Sequence, residues 1–212
     1  GIAAIFNAPL AGVFFALEVI LRSFTARGFS TVVISAVAAN AVWRVLVGDE
    51  SVLSAEVHKL IHPTELLLYA FLGVVAAIVA VGFVRLLYLV EDRFDALPVL
   101  ADLRPAIGAV TVGILGAISI DLLGSGLRGI DKALAGEFAF RFLLLLLLGK
   151  MLATALTLGS GGSGGIFSPS LFIGALLGSA YGEIVNQLFP ESTAPAGAYA
   201  VVGMAAVFAA AA

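Results

Sequence analysis

Apolar runs of helix length constrain this chain more than any other feature. They cover about residues 30–47, 65–90, 105–124, 139–158, 166–189 and 195–212. A helix needs roughly 18–20 consecutive apolar residues to cross a bilayer, and several runs reach that length. The chain is 61% hydrophobic and 12% charged, with a mean hydropathy of +1.14, whereas soluble domains carry about 25% charged residues. The sequence therefore predicts an all-α, polytopic integral membrane protein.

Charged residues suggest an orientation. On the positive-inside rule, the loops that carry the arginines face the cytoplasm and the acidic segment between them faces outside. The residues concerned are Arg22 and Arg27, then Arg85, Arg93 and Arg104, with Asp49, Glu50 and Glu56 between the two groups. The chain has no cysteine, which excludes disulfides and thiolate metal sites.

The pattern predicts helices over residues 8–22, 30–47, 63–97, 105–123 and 138–158, with two more starting near 167 and 196. The polar stretch 49–65 is expected to be an external loop or a surface helix, and 124–138 is expected to be a break. The chain begins "GIAAIFNAPL", without an initiator Met or a signal peptide, and ends inside a helix at "GMAAVFAAAA". We therefore expect an internal piece of a longer protein.

Two similar segments suggest a repeat. "GIAAIFNA" (1–8) returns as "GMAAVFAA" (203–210), and "GSG" occurs at 124–126 and 159–161. Similar segments in two halves are typical of transporters built from structural repeats around broken helices. Chance similarity between Ala-rich helices is the alternative.

The stretch "LGSGGSGGIFSPSLFIGALLG" (158–178) breaks one apolar helix and starts another. It contains G-x-G-x-x-G, but a membrane helix precedes it where the dinucleotide fingerprint needs a strand, and no P-loop Lys follows. Its G-x-S-G pattern at Ser163 resembles intramembrane serine proteases, which need a His base on a later helix. The histidines here are His58 and His62, upstream in the polar stretch, so the protease remains only a remote alternative.

An anion site is the remaining functional hypothesis for this break. A helix that starts inside the membrane has unpaired N–H groups and about half a positive charge at that end, so it attracts anions. The candidate donors are the amides of Gly165, Ile166 and Phe167. One helix terminus contributes only about 0.3–2 kcal/mol, against several kcal/mol to bury an ion, so other groups have to converge there. A packing loop, in which glycines let helices approach closely, is the competing explanation. Supporting positions in the break are Gly161, Gly162, Ser163, Gly164 and Pro169.

These motifs resemble the CLC family of chloride channels and chloride/proton antiporters. "GSGGSGGIFSPSLFIGALLG" is similar to the family's Gly-Gly-x-Phe-x-Pro signature, "GKMLATALTLGSGGSGG" to the segment that precedes it, and "AAIFNAPLAGVFFALE" to a second signature. The resemblance spans the chain. It implies the CLC fold in part, with inverted repeats and broken, tilted helices, residues 1–47 ending the first repeat and 63–212 forming most of the second.

The resemblance also implies roles. Ile166 and Phe167 match positions whose backbone amides hold the central anion, and residues 8–22 and 30–47 match two helices of a homodimer interface. Three family elements are expected outside the chain: the Gly-Ser-Gly-Ile-Pro loop and the gating glutamate motif before residue 1, and a Tyr after residue 212. The piece alone is therefore not expected to conduct.

Glu18 and Val19 stand where the family's antiporters usually have Glu-Glu, whose second member passes protons. A Val carries no proton, so the sequence predicts passive chloride conduction, with chloride/proton antiport as the alternative. Glu18 lies four residues before Arg22, the favourable order for a helical ion pair, with a pathway role as the alternative.

Lys150 lies deep in a helix, where it either adds positive potential to an anion route or snorkels to the surface. Arg44 and Arg85 are expected to be anchors at the membrane interface.

We therefore expect a membrane protein that transports chloride. Its expected partners are chloride or similar anions, the lipid bilayer of the plasma membrane and a second copy of itself. No nucleic-acid partner, enzymatic activity, metal or cofactor other than bound chloride ions is expected.

Overall fold

The computed structural model describes residues 1–48, 62–63, 65–190 and 193–211, and the described residues form helices, turns and loops. Most of the predicted acidic stretch 49–65 lies outside the described residues. The chain divides into two compact units, Gly1–Ser54 and Ala55–Ala212. The predicted assignment of the two parts to inverted repeats stays a prediction.

Residues 1–48 of the first unit form three α-helices and one π-helical segment. Helix α1 (Ile2–Ile5) is followed by Asn7, whose φ of 49° lies in the left-handed region, and α2 (Pro9–Phe15) begins two residues later. The predicted start at residue 8 is nearly right because proline suits a helix's first turn, and Ala8 is the N-cap. Asn tolerates the left-handed conformation, and its side chain accepts a hydrogen bond from Arg44 Nε at 3.2 Å. Because Arg44 lies in the third helix, this hydrogen bond connects that helix to the break between α1 and α2.

Helix α2 continues into a π-helical segment, Ala16–Ile20, and α3 (Ala26–Leu46) runs back along both. Thr25 caps α3 by accepting the Gly28 amide at 3.1 Å, which places its start earlier than the predicted residue 30. The unit's small core consists of apolar side chains from the three α-helices and the π-helical segment: Ala3, Val13, Leu17 and Ala36.

The second unit contains six helices among its described residues. They are α4 (Glu65–Asp95), α5 (Arg104–Ile118), α6 (Leu127–Leu134), α7 (Phe140–Gly159), α8 (Phe167–Leu188) and α9 (Ala196–Ala211). The prediction missed α6, because an eight-residue helix with charged residues has no long apolar run. Gly124 and Gly126 nevertheless break the chain where expected, with φ values of 61° and 74°.

Helix α8 forms the centre of this unit and is buried along most of its length. Helices α4, α6, α7 and α9 pack around it. The contact with α9 is made by backbone: a Cβ at Gly178 would lie 2.1 Å from the carbonyl oxygen of Tyr199, and one at Gly203 would lie 2.3 Å from that of Gly174. Glycine is required at these positions because the two helices approach too closely for any side chain.

A buried polar cluster joins α4, α8 and α9 near the C-terminal end of α8. The fully buried carboxylate of Glu65 accepts hydrogen bonds from the amide of Ala194 and, at 3.3 Å, from the hydroxyl of Tyr199. The Tyr199 ring packs on those of Tyr69 and Tyr181, with centroids 5.0 and 5.7 Å away. This cluster was not predicted, because its members are far apart along the chain.

Among the described residues, four segments are long and apolar enough to cross a membrane: Ala26–Leu46, Glu65–Asp95, Ala101–Ile118 and Phe140–Gly159. Between 6% and 22% of the residues are buried in the first three segments and 44% in the fourth. Apolar surface of this extent is what a bilayer covers, in agreement with the prediction from hydropathy.

Candidate functional site: the break between α7 and α8

The end of α7 is closed by a pair of hydrogen bonds from glycine amides. Gly161 N donates to Leu158 O at 2.9 Å and Gly162 N donates to Thr157 O at 2.9 Å. This is the Schellman arrangement, which needs a left-handed residue just past the helix, and Gly161 supplies it with a φ of 85°. Gly161 and Gly162 therefore terminate α7 and do not line the cavity described below.

Helix α8 begins at Phe167, as predicted, with Ile166 as its N-cap. In the described part of the chain, the amides of Gly165 and Ile166 donate no hydrogen bond. The ring of Phe167 packs edge-on against Phe208 of α9, with centroids 4.6 Å apart, and Pro169 lies buried in the first turn. The helix start is thus held firmly while amides at its end remain available to an anion.

A cavity of about 470 Å³ opens in front of this helix start. Helix α7, the segment 122–125 and the first turn of α8 enclose it. Several predicted residues meet there, namely Lys150, Ser163, Gly164, Gly165, Phe167 and Pro169, whereas Ile166 is adjacent but does not line it. The cavity walls carry hydroxyl groups that the sequence analysis did not single out: Ser125, Thr154, Thr157 and Ser168.

Lys150 is 2% exposed and reaches the cavity from α7. Its ammonium donates to Leu122 O at 3.0 Å and to Gly124 O at 2.8 Å, and lies 5.2 Å from the centre of the Phe172 ring. The alternative in which it snorkels to the surface is therefore wrong. No carboxylate among the described residues pairs with it, so its positive charge adds to that of the α8 start.

The segment 122–126 is fastened to both neighbouring helices. The carbonyls of Leu122 and Gly124 accept hydrogen bonds from Lys150. The carbonyl of Ser125 accepts a hydrogen bond from Ser168 Oγ at 2.6 Å. The Phe172 ring lies so close to Gly126 and Gly129 that a Cβ there would come within 2.6 and 2.4 Å of it. The repeated "GSG" was recognised in the sequence as a helix breaker, but only the fold shows that it forms a wall of the cavity.

Glu18 and Val19 lie in the first unit, within the π-helical segment, and both are exposed there. The expected ion pair between Glu18 and Arg22 does not form. The wider π turn removes the i,i+4 neighbour relation of an α-helix. Arg22 then leaves the helix with a φ of 48°.

The protease alternative lacks a histidine base near Ser163 among the described residues. His62 lies at the start of α4, where its carbonyl accepts from the Glu65 amide at 3.0 Å. Glu65 in turn contacts Ala194, which follows the C-terminal end of α8, whereas Ser163 precedes its N-terminal end. The 22 residues of α8 separate the two ends by about 33 Å. His58 lies outside the described residues.

Comparison with known proteins identifies relatives over the whole chain. The chain is 35% identical to the H(+)/Cl(-) exchange transporter ClcA of Vibrio campbellii and 37% identical to that of Vibrio cholerae, each over 216 aligned residues and 99% of this chain. It spans about half the length of these relatives, covering 46% of each.

Solved structures that resemble this chain are also antiporters by their descriptions. A slow cyanobacterial Cl-/H+ antiporter matches 98% of this chain and 50% of its own, with a TM-score of 0.87 and 29% identity. A CLC-type fluoride/proton antiporter matches 98% of this chain and 51% of its own, with a TM-score of 0.78 at 23% identity, and is a likeness of fold alone. The sequence model of the family described as "Voltage gated chloride channel" matches residues 1–212. This chain is therefore an integral membrane protein that belongs to the voltage-gated chloride channel (CLC) family.

Proposed function

We propose that this chain is part of a chloride/proton exchange transporter. The observation that carries the proposal is its 35–37% identity, over 99% of its length, to relatives named as exchange transporters. The passive conduction inferred from Val19 has no such support, and exchange, the alternative at that stage, is favoured over it. Chloride or a similar anion is the proposed substrate, and a homodimer in the plasma membrane is the proposed assembly.

The cavity in front of α8 is the proposed anion position. Backbone amides at the helix start supply partial positive charge, and the buried ammonium of Lys150 supplies a positive charge that no carboxylate among the described residues pairs with. An anion held by such groups gains about 1.5–3 kcal/mol for each charged hydrogen bond, while burial costs several kcal/mol. Two or three such donors offset that cost without trapping the ion, which is what turnover requires.

Proton movement in this proposal uses a group other than residue 19. Valine has no titratable atom, so the proton has to pass beside it through water or through another side chain. Exchange and Val19 are therefore compatible, provided that the inner end of the route does not depend on a carboxylate at this position.

The test is a flux measurement on the full-length protein reconstituted in liposomes. A chloride gradient alone is imposed while chloride and external pH are recorded together. Uphill proton movement at a fixed ratio to chloride is the expected result. Chloride movement without proton movement would refute exchange and restore the channel hypothesis.

The anion position is tested separately with Ile166→Pro, which removes one amide donor, and Ile166→Val, which keeps it. We expect the proline variant to bind bromide about 10-fold or more weakly, the equivalent of one charged hydrogen bond, and the valine variant to bind normally. Equal affinities would remove the helix start from the anion site.

A further inference from the structure

One face of α4 carries an exposed apolar stripe that ends in an arginine and a tyrosine. The stripe residues follow one another at alternating intervals of four and three, so they lie on a single face of the helix. Each has between 47% and 74% of its surface exposed; they are Leu67, Phe71, Val74, Ile78 and Val81. The opposite face is fully buried against the rest of the unit through Leu72, Ala76, Ala80 and Phe83.

The length of the stripe matches the hydrocarbon layer. Residues 66–84 contain no charged side chain, and these nineteen residues rise about 28 Å, close to the roughly 30 Å of a bilayer core. Arg85 and Tyr88 continue the same face immediately beyond them, and both are exposed. They therefore lie at the depth where lipid headgroups begin.

Arg85 is chemically available to a ligand. Among the residues that the structure describes, it makes no hydrogen bond and no ion pair. Arg104, in contrast, is held by Asp95, with Nη1 2.5 Å from Oδ1 and Nη2 3.1 Å from the carbonyl oxygen. The next acid on the Arg85 face is Asp92, seven residues and about 10 Å further along the helix.

We propose that Arg85 and Tyr88 bind the phosphate of an anionic phospholipid whose acyl chains lie along the α4 stripe. Residues three apart are neighbours on a helix surface, and side chains lean towards the N-terminus, so Tyr88 leans over the turn that carries Arg85. The planar guanidinium binds phosphate oxygens in pairs, and the tyrosine hydroxyl donates a further hydrogen bond. The ligand class follows from charge complementarity at the end of a lipid-length apolar face. The site is independent of the proposed transport function.

Native mass spectrometry of the full-length protein tests this site. The protein is equilibrated with equal amounts of phosphatidylglycerol and phosphatidylcholine, and the ratio of the two lipids retained is measured. Loss of one cation at a membrane surface weakens binding of an anionic lipid by about 1 kcal/mol, or about fivefold. We expect Arg85→Gln to lower the retained ratio by about fivefold and Arg85→Lys to lower it less, because lysine keeps the charge but loses the paired hydrogen bonds.

Arg93→Gln is the matched control. Arg93 is also exposed on α4, eight residues beyond Arg85 and clear of the apolar stripe, so its removal should leave the ratio unchanged. An equal loss in both glutamine variants would overturn the proposal in favour of diffuse attraction between the protein and anionic lipid. No loss in Arg85→Gln would overturn it outright.

The accessibility of a spin label to oxygen tests whether a protein segment, and not lipid, covers the stripe. A nitroxide attached at Ile78→Cys should collide freely with dissolved oxygen, because oxygen concentrates among acyl chains. Low accessibility to oxygen in the folded full-length protein would mean that protein covers this face, and the lipid site would be refuted.

Discussion

Replacing Gly178 with alanine tests the backbone contact between α8 and α9. A Cβ at this position would lie 2.1 Å from the carbonyl oxygen of Tyr199, whereas ordinary contacts begin at 3.4 Å, so the helices have to separate by about 1.3 Å. The obstacle is helical backbone, which cannot rotate away as a side chain can. The expected cost is at the upper end of that for overpacking, about 3 kcal/mol.

Alanine also favours a helix over glycine by about 1 kcal/mol, so the net loss is about 2 kcal/mol. This loss lowers the melting temperature by about 4–8 °C for a chain of roughly 150–250 residues and by proportionately less for a longer one. Thermal unfolding of the full-length protein in detergent, followed by fluorescence-detected size exclusion, measures it. The control is Gly82→Ala on α4, where a Cβ meets no atom of another element within 4 Å, so it should melt as the wild type or slightly above it.

The two variants therefore separate steric conflict from helix propensity. Equal melting temperatures for Gly178→Ala, Gly82→Ala and the wild type would show that α8 and α9 do not approach as closely as the structure has them. A fall in both variants would mean that glycine acts through the helix itself, and the packing argument would fail.

Substitutions at two further positions probe the buried polar groups, each by thermal unfolding. Lys150→Met should destabilise the protein by about 1–3 kcal/mol, because the carbonyls of Leu122 and Gly124 lose their donor. Lys150→Arg should recover part of the loss. Unchanged stability in the methionine variant would show that the hydrogen bonds from Lys150 to these two carbonyls do not stabilise the protein. Glu65→Ala should cost about as much, since the Ala194 amide is left without an acceptor. Glu65→Gln keeps a carbonyl oxygen and should be milder, so equal losses would point to the negative charge instead.

Hydropathy and helix-terminus chemistry predicted most helices of the second unit to within a few residues. The start of α8 at Phe167 and the role of Pro169 followed from local rules, because a glycine-rich break and a first-turn proline act within their own segment. The start of α9 at Ala196 was likewise correct.

Features that depend on distant partners were not predictable. The environment of Lys150 is set by the carbonyls of residues 122 and 124, which lie 28 and 26 positions away. Glu65 is buried because its partner amide is 129 positions further along the chain. At Glu18 the local rule itself failed, since it assumed α-helical geometry where the chain forms a π turn.

The close pairing of α8 and α9 has a consequence for biosynthesis. The glycines of one helix meet the backbone of the other, so no lipid fits between them, and each helix alone would present bare peptide groups to acyl chains. The nascent chain therefore gains a membrane-compatible surface only when both helices have left the ribosome. Insertion of this region should proceed as a hairpin, with α8 retained at the translocation channel until α9 is complete.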